Sequence, residues 1–230
     1  MTEVCASCVF RSKGICSVLI GTPPDEKVFA NRVQGTIPAR RYLQKQGDNK
    51  GTAMIIRKGW ATSIRVMPDG RVTSSDVIVP GDFVGEDFLS KTGQVRTIRA
   101  MTDIEYCGFD PDFLRELIFS RPDIMQMLIE TGVAVARTLR DRVHDLSGRD
   151  AEGRIVSLML GLYDRLQERG LLDGSEMPFP LRQQDIADAL GLSPVHVNRT
   201  LQHLRKLDVI SLEGRVLRVS DVDHMRELVS

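Results

Sequence analysis

Four cysteines are the side chains of this chain whose spacing is most suggestive of chemistry. Three form a dense N-terminal cluster, Cys5-x2-Cys8-x7-Cys16, and the fourth, Cys107, stands alone further along. Four thiolates make a complete ligand set for a [4Fe–4S] cluster or for a structural zinc ion. A structural zinc ion more often uses two short pairs of ligands, whereas here three ligands are local and one is distant, which favours an iron–sulfur cluster. Gly14 would allow the loop between the local ligands to fold back. Taken alone, the pattern also fits incidental cysteines, since a single buried cysteine such as Cys107 usually fills core space.

A second candidate site lies in residues 181–206, whose pattern is typical of two short helices around a tight turn. Gly191 has the backbone freedom that a sharp helix stop needs, Ser193 is a good N-cap, and Pro194 suits the first helical position. The apolar positions of the second helix repeat at helical spacing and form its inner stripe: Val197, Leu201 and Leu204. This segment therefore predicts a helix-turn-helix.

The outer face of the second helix has side chains that can reach base edges or phosphates in a major groove. The predicted DNA-contacting residues are Ser193, Val195, His196, Asn198, Arg199 and Gln202. Residues 209–219 alternate around a Glu213-Gly214 turn, which predicts a β-hairpin or wing. Double-stranded DNA is the leading predicted partner, and the alternative is an ordinary helical hairpin.

Charge is distributed so that attraction to DNA has to be local. The whole chain has 31 basic and 31 acidic residues, so no global positive field favours nucleic acid. Residues 191–220 carry three more basic than acidic residues, which places a modest positive surplus at the proposed DNA face.

The elements that position these sites follow from periodicity. From about Thr36 to Phe109, short β-rich runs separated by glycines predict a small antiparallel barrel or roll. After Pro122 the pattern predicts one helix without a break until Gly148, and a further amphipathic helix covers residues 151–170. Two sets of residues in this helix each repeat every seven positions, and a member of the second set stands three positions before a member of the first. Together they form a seam typical of paired helices: Met125, Gly132, Leu139 and Leu146, with Ile129, Ala136 and Val143. The alternative is a helix packed only on its own roll.

Several protein classes are excluded by composition and motifs. No apolar run approaches membrane-spanning length, and the N-terminus has cysteines and charges where a signal peptide needs an uninterrupted apolar stretch. We therefore expect a cytoplasmic protein whose cysteines are thiols or metal ligands rather than disulfides. The chain has no Gly-rich phosphate loop, nucleophile elbow or metal-binding His pair, so an enzyme is not expected.

The order of β-roll, seam helix and winged helix-turn-helix resembles the CRP/FNR superfamily of bacterial transcription regulators over nearly the whole chain. The motifs VPGDFVGE and LGLSPVHVNRTLQHLRK carry the resemblance. It implies an α+β chain with a cysteine-rich segment (1–20), a cyclic-nucleotide-binding-like β-roll sensor (21–120), a dimerisation helix (121–148) and a winged helix-turn-helix domain (149–230). It also implies a homodimer on a two-fold symmetric DNA site, with RNA polymerase as a further partner.

Within that superfamily, the cysteines resemble those of FNR-type oxygen sensors, including alphaproteobacterial members with a Cys-x2-Cys-x7-Cys arrangement. The resemblance implies that Cys5, Cys8, Cys16 and Cys107 bind a [4Fe–4S] cluster whose loss to oxygen controls DNA binding. The cluster would tether a flexible first segment to Cys107, close to the start of the seam helix, and so bias the dimer towards its DNA-competent form.

The recognition helix departs from the FNR-type pattern. That group typically has Glu, Ser and Arg at the positions held here by Val195, Asn198 and Arg199. Arg199 keeps the capacity for a bidentate contact with guanine, but Val195 can only meet a thymine methyl. We therefore expect a target sequence that differs from the usual FNR half-site.

A cyclic nucleotide or another small ligand in the β-roll is the alternative signal. Gly85-Glu86 with Arg96-Thr97 resembles the phosphate-binding cassette of cyclic-nucleotide sensors, in which Glu takes the ribose hydroxyls and Arg the cyclic phosphate. The chain from Arg96 to Ala100 is short for that cassette, and surface arginines are much commoner than phosphate clamps. In this alternative the cysteines are structural or thiol-redox groups; haem sensing and the absence of any ligand are further alternatives.

Overall fold

The computed structural model describes residues 5, 7–21, 26–48, 53–67, 69, 72–89 and 94–229. The chain divides into two compact units, one of residues 1–65 with 76–136 and the other of residues 66–75 with 137–230. The predicted α+β class is confirmed. Within the described ranges, no helix is both long enough and apolar enough to cross a membrane.

The predicted β-roll is confirmed as two four-stranded sheets. Its strands are β1 (Arg32–Ile37), β2 (Tyr42–Gln44), β3 (Ala53–Lys58), β4 (Ala61–Val66), β5 (Val72–Ile78), β6 (Phe83–Val84), β7 (Thr97–Ala100) and β8 (Ile104–Phe109). The sheet orders are β1-β8-β3-β6 and β2-β7-β4-β5, with antiparallel pairing of β8 to both β1 and β3. Alternate apolar residues from both sheets, among them Ile56, Ile98 and Ile104, form one core.

The turn between β3 and β4 requires glycine. Gly59 has φ of +89°, a conformation that side-chain-bearing residues rarely adopt. A Cβ at this position would also lie 2.0 Å from the carbonyl oxygen of Asp103. Both the backbone angle and the close approach therefore exclude a larger residue.

Short helices flank the roll, and the sequence did not predict the first of them. Helices α1 (Gly14–Ile20) and α2 (Glu26–Ala30) precede it, and α3 (Pro111–Ser120) follows it. The predicted fold-back at Gly14 agrees with its φ of +51°. Gly14 also begins α1, whose Leu19 is fully buried beside Leu114 and Ile118 of α3. A helix of seven residues is too short to give a periodic signal, and its anchoring depends on contacts distant in sequence.

The long helix predicted over residues 122–148 is confirmed as α4 (Pro122–Gly148). Ile124, in its first turn, is fully buried in the same core as Leu19. Much of the predicted seam is open to solvent in the single chain, with large apolar side chains 45 to 64% exposed: Ile129, Leu139, Val143 and Leu146. Pairing of this seam with a second copy stays a prediction.

The second unit contains α5 (Ala151–Glu168), β9 (Glu176–Pro178), α6 (Gln183–Leu190), α7 (Pro194–Lys206), β10 (Ile210–Glu213), β11 (Val216–Val219) and α8 (Val222–Glu227). The predicted helix after Gly148 and the wing hairpin are both confirmed. The hairpin loop is Gly214-Arg215 rather than Glu213-Gly214, because Glu213 pairs with Val216. Strand β9, which no sequence pattern predicted, adds a third strand to the wing.

Candidate nucleic-acid interface and thiol site

The local geometry of the predicted helix-turn-helix is confirmed. Gly191 ends α6 in the left-handed conformation, with φ of 65°. Ser193 caps α7, since its Oγ accepts a hydrogen bond of 3.2 Å from the backbone N–H of His196. Pro194 occupies the first turn of α7, as its missing N–H allows.

The two faces of α7 are divided as the spacing predicts. Val197, Leu201 and Leu204 are buried. The opposite face is open to solvent: Val195 is 71% exposed, the side chains of His196, Arg199 and Gln202 are exposed, and that of Asn198 is partly exposed. The residues proposed to contact DNA therefore share one outward surface.

A hydrogen bond joins the two helices of the motif at this surface. Gln183, the first residue of α6, donates from Nε2 to Oδ1 of Asn198 over 3.0 Å. Sequence reasoning missed Gln183, because its role depends on how α6 packs on α7. The acidic Asp185, three residues after the N-cap residue Arg182, was a sequence signal for an ordered start of α6, since its carboxylate accepts from the Arg182 backbone N–H.

The positive surplus at the wing is smaller than the sequence suggests. Arg218 on β11 donates from Nε to Oε1 of Glu176 on β9 over 2.9 Å. Because β9 is a strand that the sequence analysis missed, this neutralisation was not foreseen. Arg199, which is exposed on the outward face of α7, is thus more available to bases than Arg218.

The structure brings all four predicted cysteine ligands to one cavity in the first unit. They line a space of about 20 Å³, which is room for about one water molecule. Cys107 lies on β8, between β1 and β3, and Cys16 lies on α1. Cys5 and Cys107 are buried, Cys8 and Cys16 are half-buried, and all four are free thiols.

Arginines line the same cavity: Arg11, Arg32 and Arg57. The Arg32 guanidinium donates to Sγ of Cys5. Nη1 of Arg57 lies 3.9 Å from Oε2 of Glu105. The buried Nε of Arg57 has no hydrogen-bond acceptor among the described residues. Positive charge beside a thiol favours the thiolate, which is the form that binds metal.

Burial and neighbouring thiols raise the pKa of two of these cysteines, Cys16 and Cys107. Burial raises the pKa of Cys16 to about 12, and the neighbouring thiols of Cys107, Cys8 and Cys5 add to the shift. Burial also raises the pKa of Cys107, against the opposing effect of Arg32. Any metal that binds here must therefore displace protons from the thiols.

Two residues of the alternative ligand site, Arg96 and Thr97, have partners within the roll. Burial lowers the pKa of Arg96, while the carboxylates of Asp76 and Asp82 oppose that shift, so its charge already faces two acidic groups. The hydroxyl of Thr97 accepts a hydrogen bond of 3.0 Å from the backbone of Gln46. Glu86 begins a single 3-10 turn, and its side chain lies outside the described part of the chain.

Two domain families match this chain in the order in which the fold presents them. Residues 35–121 match the cyclic nucleotide-binding domain, and residues 153–228 match the Crp-like helix-turn-helix domain. The chain belongs to the CRP/FNR family of transcription regulators. It is a DNA-binding regulator rather than an enzyme.

Relatives of this CRP/FNR regulator span most of its length. A probable transcriptional activator from Rhizobium leguminosarum bv. viciae is 29% identical over 98% of this chain and 93% of the relative. An anaerobic regulatory protein from Haemophilus influenzae is 26% identical over 84% of this chain and 74% of the relative. The structure of FixK2 from Bradyrhizobium japonicum has the same fold, with a TM-score of 0.78 at 18% identity, covering 86% of this chain and 98% of that one.

Proposed function

We propose that this regulator acts as a homodimer whose DNA binding is controlled by a [4Fe–4S] cluster on Cys5, Cys8, Cys16 and Cys107. The observation that carries the proposal is that the distant Cys107 lines one cavity with the three clustered N-terminal cysteines. When bound, such a cluster supplies thiolate-held iron that reacts with oxygen. The relative named an anaerobic regulatory protein supports an oxygen-linked signal.

The donor set fits a cluster better than it fits a single zinc ion. Zinc needs its ligands within about 2.0–2.3 Å of one point, whereas a cluster spreads four thiolates around a cage. Among the residues that the structure describes, no three His, Cys, Asp or Glu side chains are gathered as one ion requires. A cluster is larger than the present cavity, so its binding requires one wall to move outward. Residues 7–13 form a series of turns beside the cavity, with isolated backbone hydrogen bonds such as that from Lys13 N–H to the Phe10 carbonyl, and we propose that this wall moves.

The route from this cavity to the dimer helix follows α1. Cys16 lies on α1, and Ile15 and Leu19 from the same helix pack with Leu117 of α3 and Ile124 of α4. A change in the position of Cys16 therefore acts on the packing at the beginning of α4. A differential stabilisation of about 1.4 kcal/mol between two such packings shifts their ratio tenfold.

Dimerisation through α4 is supported by the apolar residues that its seam exposes. Exposed leucine, isoleucine and valine at heptad spacing are typical of a helix that pairs with a partner helix. A two-fold dimer would present two copies of α7 to successive major grooves of a two-fold symmetric site. RNA polymerase stays a predicted partner, for which no surface is assigned.

The deciding experiment is metal and sulfide analysis of protein prepared without air. We expect brown protein with about four iron and four acid-labile sulfide per chain. Colourless protein with stoichiometric zinc and no sulfide would overturn the proposal. Cys107→Ala and Cys16→Ala should each lose iron, whereas Ser17→Ala, which removes a hydroxyl bonded only locally to the Gly14 carbonyl, should keep it.

A further inference from the structure

The amide of Asn198 is held by a residue from the other helix of the DNA-binding motif. Gln183 Nε2 donates to Asn198 Oδ1 over 3.0 Å. The donor is itself on an ordered turn, because the backbone N–H of Arg182 donates to the Asp185 carboxylate over 2.8 Å. Both amides lie at the surface, with Gln183 exposed and Asn198 partly exposed beside the outward face of α7.

The polarity of that bond determines what Asn198 can offer a base. A free asparagine reads adenine with both ends of its amide, accepting from N6 and donating to N7. Oδ1 has two lone pairs, and the bond from Gln183 occupies one of them and holds the oxygen towards α6. The NH2, which only donates, is therefore the end of the amide that Gln183 does not hold. Guanine presents two acceptors in the major groove, O6 and N7, and thymine presents O4. Adenine also presents N7, but beside it lies the N6 amino group, which a donor-only side chain cannot pair with, so a donor favours guanine and thymine.

We propose that Gln183 is a positioning residue for base recognition, which makes Asn198 a hydrogen-bond donor to guanine or thymine rather than a bidentate reader of adenine. The inference deepens the proposed function, because it rests on α7 entering the major groove. It does not depend on what the cysteines bind.

Two substitutions separate donation from acceptance at position 183. Lysine only donates, so Gln183→Lys should hold Oδ1 as glutamine does and preserve the base preference. Glutamate only accepts, so Gln183→Glu should turn the Asn198 amide and leave Oδ1 outward, towards N6 of adenine or N4 of cytosine. Gln184→Glu is the charge-matched control, since Gln184 donates to Asp188 within α6 over 2.7 Å.

The test is selection of sites from a pool of randomised DNA duplexes, using the full-length protein with its metal loaded without air. The position that Asn198 reads is identified as the one that loses preference in Asn198→Ala. At that position we expect guanine or thymine for the wild type, Gln183→Lys and Gln184→Glu. For Gln183→Glu we expect adenine or cytosine, with the ratio of the two classes changed by about fivefold or more.

Two results would overturn the inference: Gln183→Glu that selects the same base as the wild type, or Asn198→Ala that loses preference at no position. Thermal melting of each variant checks that the exposed substitutions leave the fold intact. Metal analysis of the same samples separates the two proposals. Wild-type protein without iron that still selects a site would overturn the cluster alone, whereas iron-loaded protein insensitive to Gln183→Glu would overturn the role of Gln183 alone.

Discussion

The Arg121 guanidinium donates to the carbonyl oxygen of Val18 over 3.0 Å, which joins α1 to the junction between α3 and α4. The same group pairs with Asp123, in the first turn of α4, over 2.6 Å. That hydrogen bond lowers the pKa of Asp123 below its ordinary value. Since α1 also carries Cys16, one side chain connects the helix of a proposed ligand with the start of the proposed dimer helix.

Removal of this connection should uncouple the metal from DNA binding. We expect Arg121→Ala to retain iron, while the ratio of DNA affinities between iron-loaded and iron-free protein falls by about tenfold. The reason is that the variant loses the charged hydrogen bonds of Arg121, which connect the Val18 carbonyl of α1 to Asp123 in the first turn of α4. Titration of fluorescent duplex DNA under both conditions measures the ratio. Arg115→Ala, which loses an ion pair with Asp112 within α3, is the control, and equal ratios for the two variants would contradict the prediction.

Arg32 should raise the reduction potential of the proposed cluster. Its guanidinium donates to Cys5, and reduction of a cluster adds negative charge that a nearby cation stabilises. We therefore expect Arg32→Met to lower the reduction potential and to shorten the lifetime of the iron absorbance in air. Arg32→Lys keeps the charge and should lie between the wild type and Arg32→Met. An unchanged potential in protein-film voltammetry would show that Arg32 has no electrostatic role.

The exposed seam of α4 should be required for dimerisation. Ile129→Asp places a carboxylate on the seam, and burial of such a group in both copies costs about 1–3 kcal/mol each, so the dimer should weaken by about tenfold or more. Ala134→Asp places the same charge on the other side of α4, where residue 134 is exposed, and should leave the mass unchanged. Sedimentation velocity gives the mass of each variant. Equal dimer fractions in the two variants would show that the seam is not part of the dimer interface.

Arg199 should provide sequence preference rather than general affinity. A bidentate arginine–guanine contact is worth about 1–3 kcal/mol of discrimination, so Arg199→Ala should flatten the preference at one position by about tenfold. Lys206→Ala, at the exposed end of the same helix, should weaken binding evenly across sequences and reduce its salt dependence. Competition titrations with single-base variants of the selected site measure both effects. A uniform loss in Arg199→Ala would reassign this side chain to a phosphate.

Leu19 should anchor the N-terminal helix before any metal binds. It is fully buried, and a leucine truncated to alanine in a core costs about 2–5 kcal/mol. Urea unfolding of metal-free Leu19→Ala should show this loss in the free energy of unfolding. Val9→Ala, at a residue that is 42% exposed, should change it by less than about 0.5 kcal/mol. Equal stabilities would mean that α1 is not held by its own core contacts.

Local signals were sufficient to predict the elements of the DNA-binding surface. Ser193, Pro194 and Gly191 act within one turn of their own helix, so their roles follow from residue type and spacing alone. The extent of α4 was predictable for the same reason, because its seam repeats over many turns. Helix α1 was missed, since seven residues carry too few repeats to distinguish a helix from a loop.

The sequence by itself determined which residues could bind metal and which face of α7 points outward, because thiol chemistry and helical periodicity are properties of the chain. Only the tertiary structure decided which partners those residues meet: Arg32 beside Cys5, Gln183 on Asn198, and Arg121 on Val18. Each of these pairs joins elements separated along the chain. Their contacts depend on how strands and helices pack, which no local pattern of residue types encodes.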